Sequence, residues 1–283
     1  MQSDLDNELN AIVNASGFAF QLAVEDHIRH SKTGWNPILR EHPWRTESGE
    51  NRFIDIILEQ VRGNFRAIVE CKRTKQAKWV FLVPKTASTE NRSCCLWADG
   101  RDGETIYSRW DDVRIGPASY EADFCAVRGK GEGQVPMLER IASDVLCSID
   151  AVADEEIRLV SDRDRQWFMR LFIPIIITNA KLYACRFTSP DVALDTGDLR
   201  NEVYEEIQFI RFRKTLGIPH REHAKRPNDI SEANQNDQRS IFVANADAIV
   251  KLLSGLDLDS LQKYRGGSWP WEEVRRMNKA ALR

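Results

Sequence analysis

The chain has 283 residues, of which 42% are apolar and 29% charged, the composition of an ordinary soluble globular protein with enough length for a substantial core. No apolar run approaches the roughly 20 residues of a membrane-spanning helix, and the acidic start Met1-Gln2-Ser3-Asp4-Leu5-Asp6 does not have the pattern of a secretory leader, so a cytoplasmic protein with no membrane partner is expected. A net charge of −3 argues against a chain that coats nucleic acid indiscriminately while leaving room for a local basic surface.

Residues 4–30 read as helix, interrupted near Ser16-Gly17, with Phe18, Leu22 and Ile28 spaced for one apolar face. Glu25 falls on the edge of that stripe, where a carboxylate needs a partner; the alternative is a side chain that snorkels to solvent beside Asp26 and Arg29. Residues 31–52, broken by Gly34, Pro37, Pro43 and Gly49, read as a loop carrying Glu47 and Glu50. Next come two short β-branched runs, Phe53 to Glu59 and Phe65 to Lys72, separated by Arg62-Gly63-Asn64, and these predict a hairpin. Glu70 and Lys72, two positions apart, share a strand face. Asp55 sits inside the apolar run of the partner strand, where an unpaired carboxylate is costly to desolvate.

Trp79 to Val83 predicts a further strand. Ahead of it, Lys72, Arg73, Lys75 and Lys78 form a basic run that can grip a phosphate backbone or simply face solvent. Residues 85–118 read as an irregular insertion or flap and Tyr120 to Val127 as a strand. The glycine run from Gly129 to Gly133 has no Walker A ending. Pro136 opens a crossover helix with Leu138, Ile141, Ala142, Val145, Leu146 and Ile149 at helical spacing. Ile173 to Thr178 reads as a strand buried on both faces, Asn179-Ala180 as a turn and Lys181 to Phe187 as a return strand. Glu206 to Lys214 reads as one strand, residues 219–236 as a basic loop in which His220 and His223 find no further ligands, and Ser240 to Val243 as a strand leading to a helix at 245–253. Trp269 and Trp271 precede a basic terminal helix with Arg275, Arg276, Lys279 and Arg283; tail docking is favoured over base stacking. The six cysteines, Cys71, Cys94, Cys95, Cys125, Cys147 and Cys185, and the five histidines show no zinc spacing.

Asp55, Glu70 and Lys72 in two apolar strands need a joint explanation. Mg²⁺ takes hard oxygen ligands and keeps several waters, so two converging carboxylates suffice to hold it, and a neighbouring lysine can orient a water or offset charge on a phosphate. The competing explanations are an ion pair that fixes strand register and a hairpin whose charged face is simply wet.

Asp55, Glu70, Cys71 and Lys72 together resemble the motif of the PD-(D/E)xK nuclease superfamily: Asp55 matches the first acid, Glu70 the second, Cys71 the free position and Lys72 the lysine, while Ile54 stands where that family's motif has proline. The resemblance implies an α/β, restriction-endonuclease-like fold in one domain spanning 1–283. It would have an αβββαβ core at about 18–187 with a mixed central sheet flanked by helices, an insertion at 85–118 and a C-terminal elaboration at 188–283. It implies Mg²⁺, replaceable by Mn²⁺, held by Asp55, Glu70, the Cys71 carbonyl and Glu25, with Asp55, Glu70, Lys72 and Glu25 as the catalytic set. Arg73, Lys75 and Lys78 would contact DNA, the preferred substrate although RNA stays open, and a homodimer or a partner protein is compatible. The expected activity is hydrolysis of DNA phosphodiester bonds in restriction, repair or phage defence. The alternative is a catalytically inactive nucleic-acid-binding or interaction subunit that keeps the same fold.

Overall fold

The computed structural model describes residues 2–46, 48–61, 65–74, 77–102, 105–127, 137–159, 168–215 and 237–257. Helices α1 (Gln2–Ser16) and α2 (Phe18–His30) meet at Gly17, whose φ of 82° suits a residue without a Cβ. The expected break is there, but the buried face of α2 is not the expected one. Gln21, Val24, Glu25 and Ile28 point inward, while Phe18 and Leu22 are 59% and 46% exposed. Two polar residues can replace two apolar ones because each finds hydrogen-bond partners inside.

Residues 35–45 are not loop but strand β1 (Trp35–Arg45), antiparallel to β2 (Asn51–Gln60). As the outermost strand of its sheet, β1 tolerates Pro37 and Pro43. Only Trp35 and Trp44 are buried, and an irregular register between Pro37 and Leu39 breaks the two-residue alternation that would have identified the strand. β2 pairs antiparallel with β3 (Phe65–Lys72), as expected, from Glu59 opposite Arg66 to Ile56 opposite Val69. The turn at Arg62-Gly63-Asn64 lies outside the described residues, as do Glu47 and Lys75.

β4 (Lys78–Pro84) forms where expected. The stretch expected to be irregular is mainly a long hairpin, β5 (Ser93–Asp102) with β6 (Thr105–Arg114). Its first strand was hard to see because only Cys94 to Trp97 is strongly apolar, and those residues divide between two cores. The strand expected at Tyr120 to Val127 is split at Asp123 into β7 (Glu121–Ala122) and β8 (Phe124–Val127). Helix α3 (Met137–Leu159) buries all six of its predicted core residues. β9 (Phe168–Thr178) is followed by the expected turn and by β10 (Lys181–Phe187), which does not pair back onto it. The single strand expected at 206–214 is two, β11 (Val203–Ile207) and β12 (Phe209–Thr215). β13 (Gln238–Asn245), a 3-10 turn and α4 (Ile249–Gly255) complete the described chain. The 129–133 glycine run, Pro136, the histidines at 220 and 223 and the basic tail after 257 lie outside the described residues.

Among the described residues the fold is mixed α/β, with four helices and two sheets. The larger sheet has nine strands: β1-β2-β3-β9-β13-β12-β7 in order, with β5 joining β9 and β6 outside β5. The smaller has the order β11-β10-β4-β8. The chain passes between sheets at Asp123, at Asn179-Ala180 and at Gln208, so runs that look like one strand or one hairpin in sequence are divided between layers. β4, expected as the third core strand, therefore lies outside the sheet of β2 and β3; that place belongs to β1. Beyond β3 the chain crosses through α3 and returns as β9, parallel to β3 from Phe65 opposite Leu171 to Lys72 opposite Thr178.

β9 is buried on both faces. Phe172 and Ile176 join the core under α3 and the smaller sheet, while Ile173, Ile175 and Ile177 join the core under α2 and α4. No described helix is long and apolar enough to cross a membrane. This central position predicts that Ile176→Ala lowers unfolding free energy by about 2–5 kcal/mol. Ile38→Ala, on the outermost strand at 40% exposure, should change it by about 0.5 kcal/mol or less. Denaturant titration compares the two, and equal losses would contradict the layer order.

Candidate metal centre

The hydrogen-bonded ladder between β2 and β3 stops at Ile56 opposite Val69. One residue further on, the Asp55 carboxylate takes over: its Oδ2 accepts the Cys71 backbone N–H at 2.6 Å. This side chain therefore replaces a backbone partner at the point where the strands separate. In an extended strand a residue's N–H and C=O point to the same side, so the Cys71 carbonyl also faces the opening beside Asp55. Glu70 alternates with Cys71 and projects from the opposite face of β3, the face it shares with Lys72. It lines a cleft of about 80 Å³ bounded by Trp44, Arg52, Phe53, Asp144 and Ser148.

Both carboxylates are held in their protonated direction. Burial pushes Glu70 up to about 8, the Asp55, Asp144 and Glu41 charges add to this, and Lys72 acts against it. Burial likewise pushes Asp55 up to about 6; the Cys71 N–H opposes the shift, Glu41 adds to it and Lys72 opposes it. The Cys71 thiol is raised by burial and then by the charges of Asp55, Glu70, Glu25 and Glu41. The Glu70 carboxylate makes no hydrogen bond and no ion pair with the described residues, and Lys72 likewise has no direct ionic partner among them. The free carboxylate oxygens and the Cys71 carbonyl are hard donors of the kind Mg²⁺ or Mn²⁺ takes, so the donor set fits such a cation. Among the described residues no three Asp, Glu, His or Cys side chains close into a group that could hold a metal ion.

The other sequence-derived candidates have different positions. Glu25 is buried, but both its oxygens are engaged: Arg40 Nη2 donates to Oε1 at 2.9 Å, Arg40 Nε donates to Oε2 at 2.5 Å, and Arg29 also donates to Oε1. Its carboxyl is held below the ordinary value chiefly by the Arg40 hydrogen bond, so Glu25 fastens α2 to β1 instead of offering free oxygens. Arg73 donates to the Asn14 carbonyl at the end of α1, and Lys78 sits 5.9 Å from the Tyr183 ring centroid in the smaller sheet. Glu50 pairs with Arg52 at 3.4 Å in solvent. The segment after Lys72 is anchored reciprocally: Thr74 N–H donates to Asn179 Oδ1 at 2.6 Å and Asn179 Nδ2 donates to the Thr74 carbonyl at 3.0 Å.

Two residues beside Asp55 escaped the sequence reading. Glu41 stands opposite Asp55, because the register passes from Arg40 opposite Ile56 to His42 opposite Ile54. Its φ of 50° is a left-handed conformation that costs a non-glycine residue about 1 kcal/mol. Gln21 reaches it from α2, donating to Glu41 Oε1 at 2.7 Å and to the Asp55 carbonyl at 2.9 Å. Recognition of Glu41 from sequence would have required recognition of β1, whose alternation is broken.

The acid pair carries a sign for stability. Folded Asp55 and Glu70 keep protons that the unfolded chain releases near the ordinary values of 3.8 and 4.5. The stability they contribute is thus complete below about pH 4 and is lost as pH rises through about 6 and about 8. Without divalent cations, Glu70→Gln should be more stable than the parent by about 2 kcal/mol at pH 8, with a smaller difference at pH 5; a gain that does not grow with pH would contradict a raised Glu70. Comparison of the chain with protein-family models, with curated proteins and with solved structures finds no match.

Proposed function

We propose that the chain is a divalent-cation-dependent nuclease that hydrolyses phosphodiester bonds of DNA. The observation that carries this reading is the Asp55 carboxylate on the Cys71 N–H, which joins the first acid to the Glu70-Cys71-Lys72 strand at the mouth of the opened ladder. The order α2-β1-β2-β3-α3-β9, with β3 and β9 parallel, supports it by likeness to the αβββαβ core of the PD-(D/E)xK superfamily. The motif acids then fall on the second and third strands of that core.

In this reading Asp55, Glu70 and the Cys71 carbonyl would hold Mg²⁺ or Mn²⁺, which when bound would make water a better nucleophile at neutral pH and offset phosphate charge. Lys72, which has no competing ion pair among the described residues, donates to the attacking water or to a non-bridging phosphate oxygen and stabilises the negative charge that grows there. Water oxygen bonds to phosphorus, the phosphorus–oxygen bond to the leaving nucleotide breaks, and that oxygen ends protonated. Burial raises Asp55 and Glu70, and a bound doubly charged ion would offset that cost.

Purified protein is therefore expected to cut DNA with Mg²⁺ or Mn²⁺ and not with EDTA. Lys72→Ala and Asp55→Asn, checked for parental circular dichroism, should lose at least about 100-fold in rate. Cleavage at the parental rate by either variant ends the nuclease reading. DNA binding without cation-dependent cleavage would favour the interaction-subunit alternative.

A further inference from the structure

We propose that α1 is a self-association surface, on which a second copy of this chain lays its own α1 antiparallel. Every described side chain of α1, from Leu5 to Ser16, is exposed. A 15-residue helix that packs on nothing is marginal in water, because most helical stability in proteins comes from burying one face. Asn7, Asn10, Val13 and Asn14 lower its intrinsic propensity further. The helix does have a face to bury. Leu5, Leu9, Ile12 and Val13 recur at the three- and four-residue spacing of an apolar stripe, Phe18 and Leu22 follow beyond Gly17, and all six are 46–60% exposed.

Area and charge select the occupant. The six side chains leave roughly 600 Å² of apolar surface uncovered, at the upper end of what a monomer shows in one patch. Two copies apposed would bury about 1,200 Å², the size at which specific interfaces begin. α1 carries Asp6 and Glu8 near its start and no Lys or Arg between Leu5 and Ser16, so it lacks the attraction that an anionic lipid surface or a nucleic acid requires. Arg73 stands at the other end, donating to the Asn14 carbonyl. In an antiparallel pair centred on Leu9, Leu5 meets the partner's Val13 and Asp6 approaches the partner's Arg73. A parallel pair would instead set Asp6 on Asp6 and Glu8 on Glu8, a like-charge contact that costs affinity. The stripe is thus complementary to itself in one direction only, as a two-fold interface requires.

Neither cation binding nor cleavage is needed for the test. Sedimentation velocity of the full chain at micromolar concentrations should give the mass of a dimer, with or without EDTA. Leu9→Glu combined with Ile12→Glu should weaken association at least about 30-fold, while Leu194→Glu, at an exposed leucine outside the helices, should associate like the parent. Under mild oxidation Leu9→Cys should form a disulfide-linked dimer and Leu5→Cys should not, against a parent whose six cysteines are buried or half-buried. A parent that is monomeric throughout, or a double variant that associates like the parent, would overturn the proposal; in the first case the stripe belongs to a different protein or to residues 258–283 of the same chain. Cross-linking through residue 5 as readily as through residue 9 would overturn the antiparallel arrangement. The substituted side chains are exposed, so each variant should melt cooperatively as the parent does; where the double variant does not, the two cysteine variants decide alone.

Discussion

A carboxylate half-buried at the end of a β-ladder needs a hydrogen-bond donor, and Asp55 takes the Cys71 N–H at 2.6 Å. Much of the centre follows from that contact. The side chain takes a hydrogen bond that the backbone would otherwise make, so β2 and β3 part there. Their parting opens the space into which Asp55 faces and leaves the Cys71 carbonyl turned toward it. One N–H does not neutralise a charge, however, and with Glu70 nearby burial keeps both acids above their ordinary values. Such an arrangement is poor as a structural ion pair, since Lys72 makes no direct ion pair with either acid.

The surrounding architecture holds this opening at the carboxyl end of two parallel strands. β3 and β9 run side by side to Lys72 and Thr178, the end of an α/β sheet where ligands are generally bound. Just past it, Asn179 clasps Thr74 from both sides, and Asn245 Nδ2 donates to the Ala180 carbonyl at 2.8 Å. These amides fix the segment after Lys72 to the point where the chain leaves the large sheet for the small one. Elsewhere buried polarity has a structural use: fully buried Arg211 donates to Ser119 Oγ at 2.7 Å and to the Ile115 and Pro117 carbonyls, fastening β12 to the segment after β6. The difference is that every nitrogen of the Arg211 guanidinium has an acceptor, while the Glu70 carboxylate has no hydrogen-bond or ion-pair partner among the described residues.

Arg73 is spent on the end of α1, and Lys78 belongs to the smaller sheet. Proximity in sequence to Lys72 therefore says little about proximity to the opening, because the chain changes sheets immediately after β3.

Residues 53–59 and 65–72 declared themselves as an antiparallel pair, α3 as a crossover helix and β9 as a central strand, because each carries a dense local pattern of apolar side chains that no other element has to complete. With them came Asp55, Glu70 and Lys72, conspicuous as charges in apolar strands. What the amino-acid order alone did not reveal was whatever depends on residues distant in sequence. β1 is half exposed, bent in register and interrupted by prolines. The inward polar face of α2 makes sense only once Arg40, Glu41 and the Asp55 carbonyl are known to lie opposite it. The division of strands at Asp123 and Gln208 depends on which sheet each half joins. Local periodicity reports burial against the chain's own neighbours in sequence; register, sheet membership and the partners of a buried carboxylate are set by contacts across the fold, and only the folded chain brings them together.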